Sequence, residues 1–151
     1  MTTTMALRPA PPITRERTST APPAAVHDLL VDVSSWPLWS PHVVRTDPAA
    51  GLVHAGWQGR VTPWFGPATT MEVTEVLPGG GMRWRTRALG HELRYAQLVG
   101  PAPGGGSRVV FTATVHGPLG PLVQRLAAPL SGYGQQRRLE RLVLLAERTA
   151  R

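Results

Sequence analysis

The stretch "APPAAVHDLLVDVSSWPLWSPHV", Ala21 to Val43, decides how this chain is read. Its two prolines suit the first turn of a helix, where the N–H groups they lack would have no partner in any case. Behind them Val26, Leu29, Leu30 and Val33 recur at the i, i+3, i+4, i+7 spacing of one helical face, which predicts a short amphipathic helix ending before Ser34. "SSWPLWSP" then predicts a second helical turn, with Ser34 or Ser35 as N-cap and Pro37 tolerated near its start. Trp36 and Trp39, three residues apart, share one side of that turn. Each ring can bury about 150–250 Å², so a large apolar surface must receive them.

Working outward, "ITRERTST" (13–20) alternates loosely, is rich in β-branched residues and reads as a first strand. Residues 1–12, rich in Thr, Ala and Pro without periodicity, are expected to be disordered or loosely attached. From Pro41 onward strand signals follow one another at 42–47, 55–64, 68–77, 81–89, 91–99 and 107–116. "PGGG" (78–81) and "PAPGGGS" (101–107) are turns of the kind that join antiparallel neighbours. The chain closes on a helical pattern from near Leu119. Its apolar side carries Leu122, Val123, Leu126, Leu130, Leu139, Leu142, Val143 and Ala146, and Arg125, Arg138, Arg141 and Arg148 fall mostly on the polar side. Pro129, Gly132 and Gly134 predict a kink or break in it.

Composition bounds the answer. At 151 residues the chain makes one domain, and no stretch approaches the ~20 apolar residues of a membrane span. There is no cysteine, hence no disulfide framework and no thiolate metal site, and the N-terminus lacks the apolar core of a secretory signal, so the cytoplasm is the expected compartment. The net charge is +7 and all sixteen basic residues are arginine, but they are spread along the chain without a nucleic-acid motif, so no nucleic-acid interface is expected. His27, His42, His54, His91 and His116 are scattered, "HELRY" is not a zinc helix, and neither a nucleophile elbow nor a phosphate loop occurs. No metal or cofactor is expected. Nothing here fixes an oligomeric state.

Strand, two short helices, six strands and a long closing helix is a telling order. With "AP-x-x-V-x-x-L-x-D-x-x-x-W-P-x-W" in the opening stretch, "EVTEVLPGGGMRWRTR", "GSRVVFTATVHGPLG" and the Leu/Arg-rich end with "LAE", residues 13 to 148 resemble the START-like (SRPBCC) superfamily, in particular its bacterial polyketide cyclase/dehydrase and lipid-transport branch. The resemblance implies an α+β helix-grip fold over 13–150, a curved antiparallel sheet wrapped around a long C-terminal helix with two short helices after strand 1. It also implies an elongated apolar cavity between sheet and helix. Fold in this superfamily does not fix reaction, because carriers, cyclases and ligand sensors share it.

Alternation along the strands names the walls. In "MRWRTR", Met82, Trp84 and Thr86 point one way and Arg83, Arg85 and Arg87 the other; three unpaired arginines are too costly to bury together, so Trp84 faces in. His91, Leu93, Tyr95, Gln97 and Val99 share a face, which by resemblance lines the cavity. On 107–116 the apolar face is Val109, Phe111, Ala113 and Val115. On 55–64 periodicity leaves open whether the set with Trp57 or the set with Gln58 faces in. The candidate ligand-binding residues are therefore Trp39, Trp57, Met82, Trp84, Leu93, Gln97, Phe111 and Tyr133, with the terminal helix as lid. His91 and Tyr95 are the candidate acid–base pair, imidazole being best placed for proton transfer near neutrality. Cyclases of the superfamily often carry an inward arginine; around 71–77 this chain has Thr74 and Glu75 and none. The expected function is binding of a hydrophobic, aromatic or polyketide-like small molecule, with its cyclisation or dehydration open. A non-catalytic lipid or small-molecule carrier or sensor, and an interaction module with a filled core, stand as alternatives.

Overall fold

The computed structural model describes residues 8–151. Seven strands, β1 (Ile13–Ser19), β2 (Val43–Asp47), β3 (Gln58–Pro63), β4 (Thr69–Leu77), β5 (Gly81–Ala88), β6 (His91–Pro101) and β7 (Ser107–His116), form one sheet in the order β1-β7-β6-β5-β4-β3-β2. Every neighbouring pair is antiparallel. Strands β2 to β7 follow chain order, joined by a ten-residue connection after β2 and by short turns thereafter. Between β1 and β2 the chain instead crosses the sheet through α1 (Pro23–Val31), a 3-10 turn (Val33–Ser35) and α2 (Trp36–Trp39), which carries β1 to the far edge beside β7. A register shift between Val73 and Glu75 interrupts the β4–β5 ladder. Such bulges bend a sheet.

The helical pair is fastened by its own indoles. Trp36 Nε1 donates to the Leu30 carbonyl at 2.9 Å, and Trp39 Nε1 donates to the Ser35 hydroxyl at 3.2 Å, which itself donates to the Leu29 carbonyl at 2.7 Å. Ser35 stands at the N-cap position of α2 as expected but makes no side-chain cap bond, its hydroxyl donating to the Leu29 and Asp32 carbonyls; the side-chain cap is made at the preceding 3-10 turn, where the carboxylate of Asp32 accepts from the Ser34 N–H at 3.0 Å. Trp36 meets Trp57 edge to face at 5.5 Å between centroids. Both rings are core, with Val26, Leu30, Val73, Val109 and Phe111 around them.

The closing helix α3 (Gly120–Thr149) is one continuous element of 30 residues with Pro129 inside it, so the chain does not break there. Pro129 is exposed, which leaves the Arg125 carbonyl it cannot serve open to water. Gly132 instead permits a close approach. A Cβ on Gly132 would strike the Arg15 guanidinium, and one on Gly134 would lie 3.5 Å from Cε1 of His42. Leu139, Leu142, Val143 and Ala146 bury against the sheet as the periodicity predicts, but Leu122, Leu126 and Leu130 are exposed, because the first half of α3 leans on β1 and β7 by other residues. Gln124 accepts from the Val115 N–H at 2.8 Å and donates to the Pro11 carbonyl at 2.6 Å, while Gln135 donates to the Ile13 carbonyl at 3.0 Å. Of the segment expected to be loosely attached, residues 1–7 lie outside the described residues; within 8–12, the carbonyls of Arg8 and Pro9 accept from Arg125.

Candidate functional site

A cavity of about 610 Å³ lies between the concave face of the sheet and α2 and α3. Three cross-strand pairs build its sheet wall: Met82 opposite Gln97, Trp84 opposite Tyr95, and Thr86 opposite Leu93. Side chains at directly paired positions stand on the same face, so the alternation of β5 and of β6 converges on one surface while Arg83, Arg85 and Arg94 go outside to Glu75, Glu72 and Glu92. Trp84 and Tyr95 stack with centroids 4.0 Å apart and planes 14° from parallel. Gln97 is buried and accepts from Trp84 Nε1 at 3.3 Å, which fixes the ring and turns the amide N–H pair away from it. Trp39 from α2 and Val61 and Met71 from β3 and β4 supply further apolar wall. Phe65 and Leu89, both exposed and both on turns, mark where the cavity meets solvent.

Besides Arg87 of β5, two further ionisable side chains line it from elements outside these strand pairs. Arg138 reaches in from α3, beside Gly134, whose carbonyl accepts from its Nε at 3.4 Å. It sits three residues after Gln135 and four before Leu142, at the flank of the buried stripe, where the helix overlooks open space rather than packed side chains. The helical pattern placed it on the polar side. That rule sorts residues into core and solvent and has no category for a charged residue that faces an internal cavity. His42, at the entry to β2, is the other, its ring edge-on to Phe65 at 6.0 Å. Its Nδ1 is buried without a hydrogen-bond partner. Burial, and then the charge of Arg138, hold His42 below the ordinary imidazole range. Burial raises the Tyr95 phenol, an effect that Arg138 partly offsets, and Tyr95 remains a proton donor at neutral pH. Desolvation lowers Arg138, and Tyr95 works against it.

Of the residues singled out from sequence, Trp39, Met82, Trp84, Leu93, Tyr95 and Gln97 stand on the cavity wall. Trp57, Phe111, Tyr133 and His91 do not. Trp57 lies over Gly59 and against Trp36, filling core behind the wall. Phe111 is wholly buried beneath Trp39, 6.3 Å from it, because β7 runs under α3 where helix and sheet touch. Tyr133 is 63% exposed on the outer side of α3. His91 shares the face of Tyr95 but lies four residues nearer the turn, past the end of the cavity. Its Nδ1 donates to the Leu89 carbonyl at 2.9 Å and its Nε2 accepts from the Leu119 N–H at 3.3 Å, a latch between the β5–β6 turn and the start of α3. Sequence reasoning missed Arg138 and His42.

A bent antiparallel sheet closed by one long helix, with a lined cavity between them, defines the START-like helix-grip class. The family described as polyketide cyclase / dehydrase and lipid transport matches residues 11–147, and the chain belongs to that family. No curated protein matches it. Among solved structures it is similar to protein jhp0584 of Helicobacter pylori (20% identity, TM-score 0.74, covering 97% of this chain and 99% of that one). It is also similar to protein MLL2253 of Mesorhizobium loti (18%, 0.73, 92% and 98%). DynU16, from the dynemicin biosynthetic locus, matches at 17% identity and TM-score 0.71, over 92% of this chain and 48% of its own. At these identities the likeness is one of fold. No described helix is long and apolar enough to cross a membrane, and no described group of His, Asp and Glu could hold a metal.

Proposed function

We propose that the chain holds a hydrophobic small molecule with a flat, aromatic or polyketide-like body in the cavity between sheet and α3. The observation that carries this reading is the stacked Trp84–Tyr95 pair, a rigid aromatic surface presented to a space of about 610 Å³. Rings offer large contact area at little conformational cost, and cavities of this volume suit drug-sized guests. At ~24 cal/mol per Å³ a dry void of that size would cost roughly 15 kcal/mol, as much as a domain's whole stability, so the space needs a guest or water to fill it. The family description supports the same class of ligand.

Holding comes before converting in this reading. Tyr95 would orient a ligand oxygen by donating its phenolic proton, and any turnover would draw on Tyr95 with His42, since His91 is committed to backbone partners. Native mass spectrometry of protein purified without detergent tests the holding step. A co-purifying guest, or a rise in Tm with polycyclic aromatic compounds, is the expected result. A chain that carries nothing and whose Tm no aromatic or lipid probe moves would defeat it.

A further inference from the structure

Arg138 is a charge without a counter-charge. None of the chain's nine carboxylate side chains comes within 4 Å of it among the described residues: Glu16, Glu72, Glu75, Glu92 and Glu140 pair with other arginines. Among the described residues its single hydrogen bond is the long one from Nε to Gly134, so the terminal N–H₂ groups of this cavity-lining residue have no protein acceptor there. A half-buried guanidinium left in that state bears part of the cost of leaving water with no ion pair in return, and a ligand anion would supply the missing charge. Around it stand only donors and neutral groups. Among the described residues the Tyr95 hydroxyl accepts no hydrogen bond and donates none, Gln97 spends its amide oxygen on Trp84 Nε1, and burial holds His42 below the ordinary imidazole range. No carboxylate stands on this wall, and its second charged residue, Arg87, is also a cation, while the rest is neutral and mostly apolar.

We infer that the guest is an amphipathic monoanion, an apolar body ending in one carboxylate, with the carboxylate on the Arg138 fork and the Tyr95 hydroxyl and the body along Trp84, Trp39 and Met82. Arg presents paired donors in the plane a carboxylate needs. The inference rests on the cavity reading above and narrows it to acids. Aromatic acids and fatty acids share this chemistry, and the stacked Trp84–Tyr95 face favours the aromatic ones.

Calorimetric titration at neutral pH separates the possibilities, using anthracenecarboxylate and its primary amide, which have the same shape, together with dodecanoate and dodecanamide. The acid of a pair should bind the wild-type chain about 10- to 100-fold tighter than its amide, the range expected for a charge-assisted hydrogen-bonded pair. Arg138→Leu should erase that preference while leaving the amide within about threefold of its wild-type affinity. Arg138→Gln, which keeps hydrogen bonding without charge, should do the same, and circular dichroism shows whether each variant is folded. Tighter anthracenecarboxylate than dodecanoate identifies the aromatic source; the reverse identifies the fatty one. Equal binding of acid and amide overturns the anion assignment and leaves the cavity reading standing. Failure of all four probes to bind overturns both.

Discussion

His42 is a residue whose environment can be read through pH. Its Nδ1 is buried without a partner, Phe65 and Gly134 pack on its ring, and the Arg138 charge lies nearby, so the folded state resists its protonation. The unfolded chain takes up a proton near pH ~6.5, the folded one only at lower pH. Stability contributed by neutral His42 is therefore complete above about pH 6.5 and is lost as pH falls through the lower folded value. Tm should fall between neutral and mildly acid pH, and His42→Phe should flatten that part of the profile; an unchanged profile would show that another group titrates there. Trp84 is the second informative residue. It forms the aromatic face with Tyr95 and holds Gln97, so Trp84→Leu should weaken binding of a flat aromatic guest about 2- to 10-fold, the scale of an aromatic contact, and leave dodecanoate or its amide little changed.

At the scale of elements, the cavity depends on how closely neighbours approach. Gly59 on β3 lies under the Trp57 ring, which cannot move because Trp36 stands edge-on behind it. Gly59→Ala should cost about 1–3 kcal/mol as overpacking, read as a lower urea midpoint with an unchanged m value. The other joint is between α3 and the sheet. Gln124 accepts from the backbone N–H of Val115 and ties the segment before β1, so Gln124→Ala leaves a buried donor unpaired and should cost about 1–3 kcal/mol by the same measurement. Helix periodicity and strand alternation made these elements legible beforehand. The unbroken α3 was not, since Pro129 and the two glycines carry the local signature of a bend. Whether a proline faces water and whether a glycine faces a neighbouring side chain is settled by the partner surface.

For the whole molecule, a cavity and a half-buried charge without a counter-charge work against stability. Arg138→Leu should raise Tm by a few degrees, on the scale of about 2–4 °C per kcal/mol for a chain of this size, because it removes an unpaired charge and extends the stripe of Leu139 and Leu142. A drop in Tm would mean that Arg138 serves the fold rather than a guest. Such an exchange of stability for a site is common where a fold carries function.

Local chemistry alone determined the sequence of elements, the antiparallel joining of β2 to β7, and the inward set Met82, Trp84 and Thr86, because side-chain direction along a strand follows from the pleat; alternation grouped Leu93, Tyr95 and Gln97 on one face, and the resemblance turned that face inward. How far that face extends as cavity wall is a matter of where α3 crosses the sheet. That crossing leaves His91 beyond the end, puts Phe111 and Trp57 beneath the surface and Tyr133 outside, and brings Arg138 and His42 in. Periodicity reports which side of an element is covered; only the distance between packed layers decides whether what covers it is a neighbouring side chain or an open space.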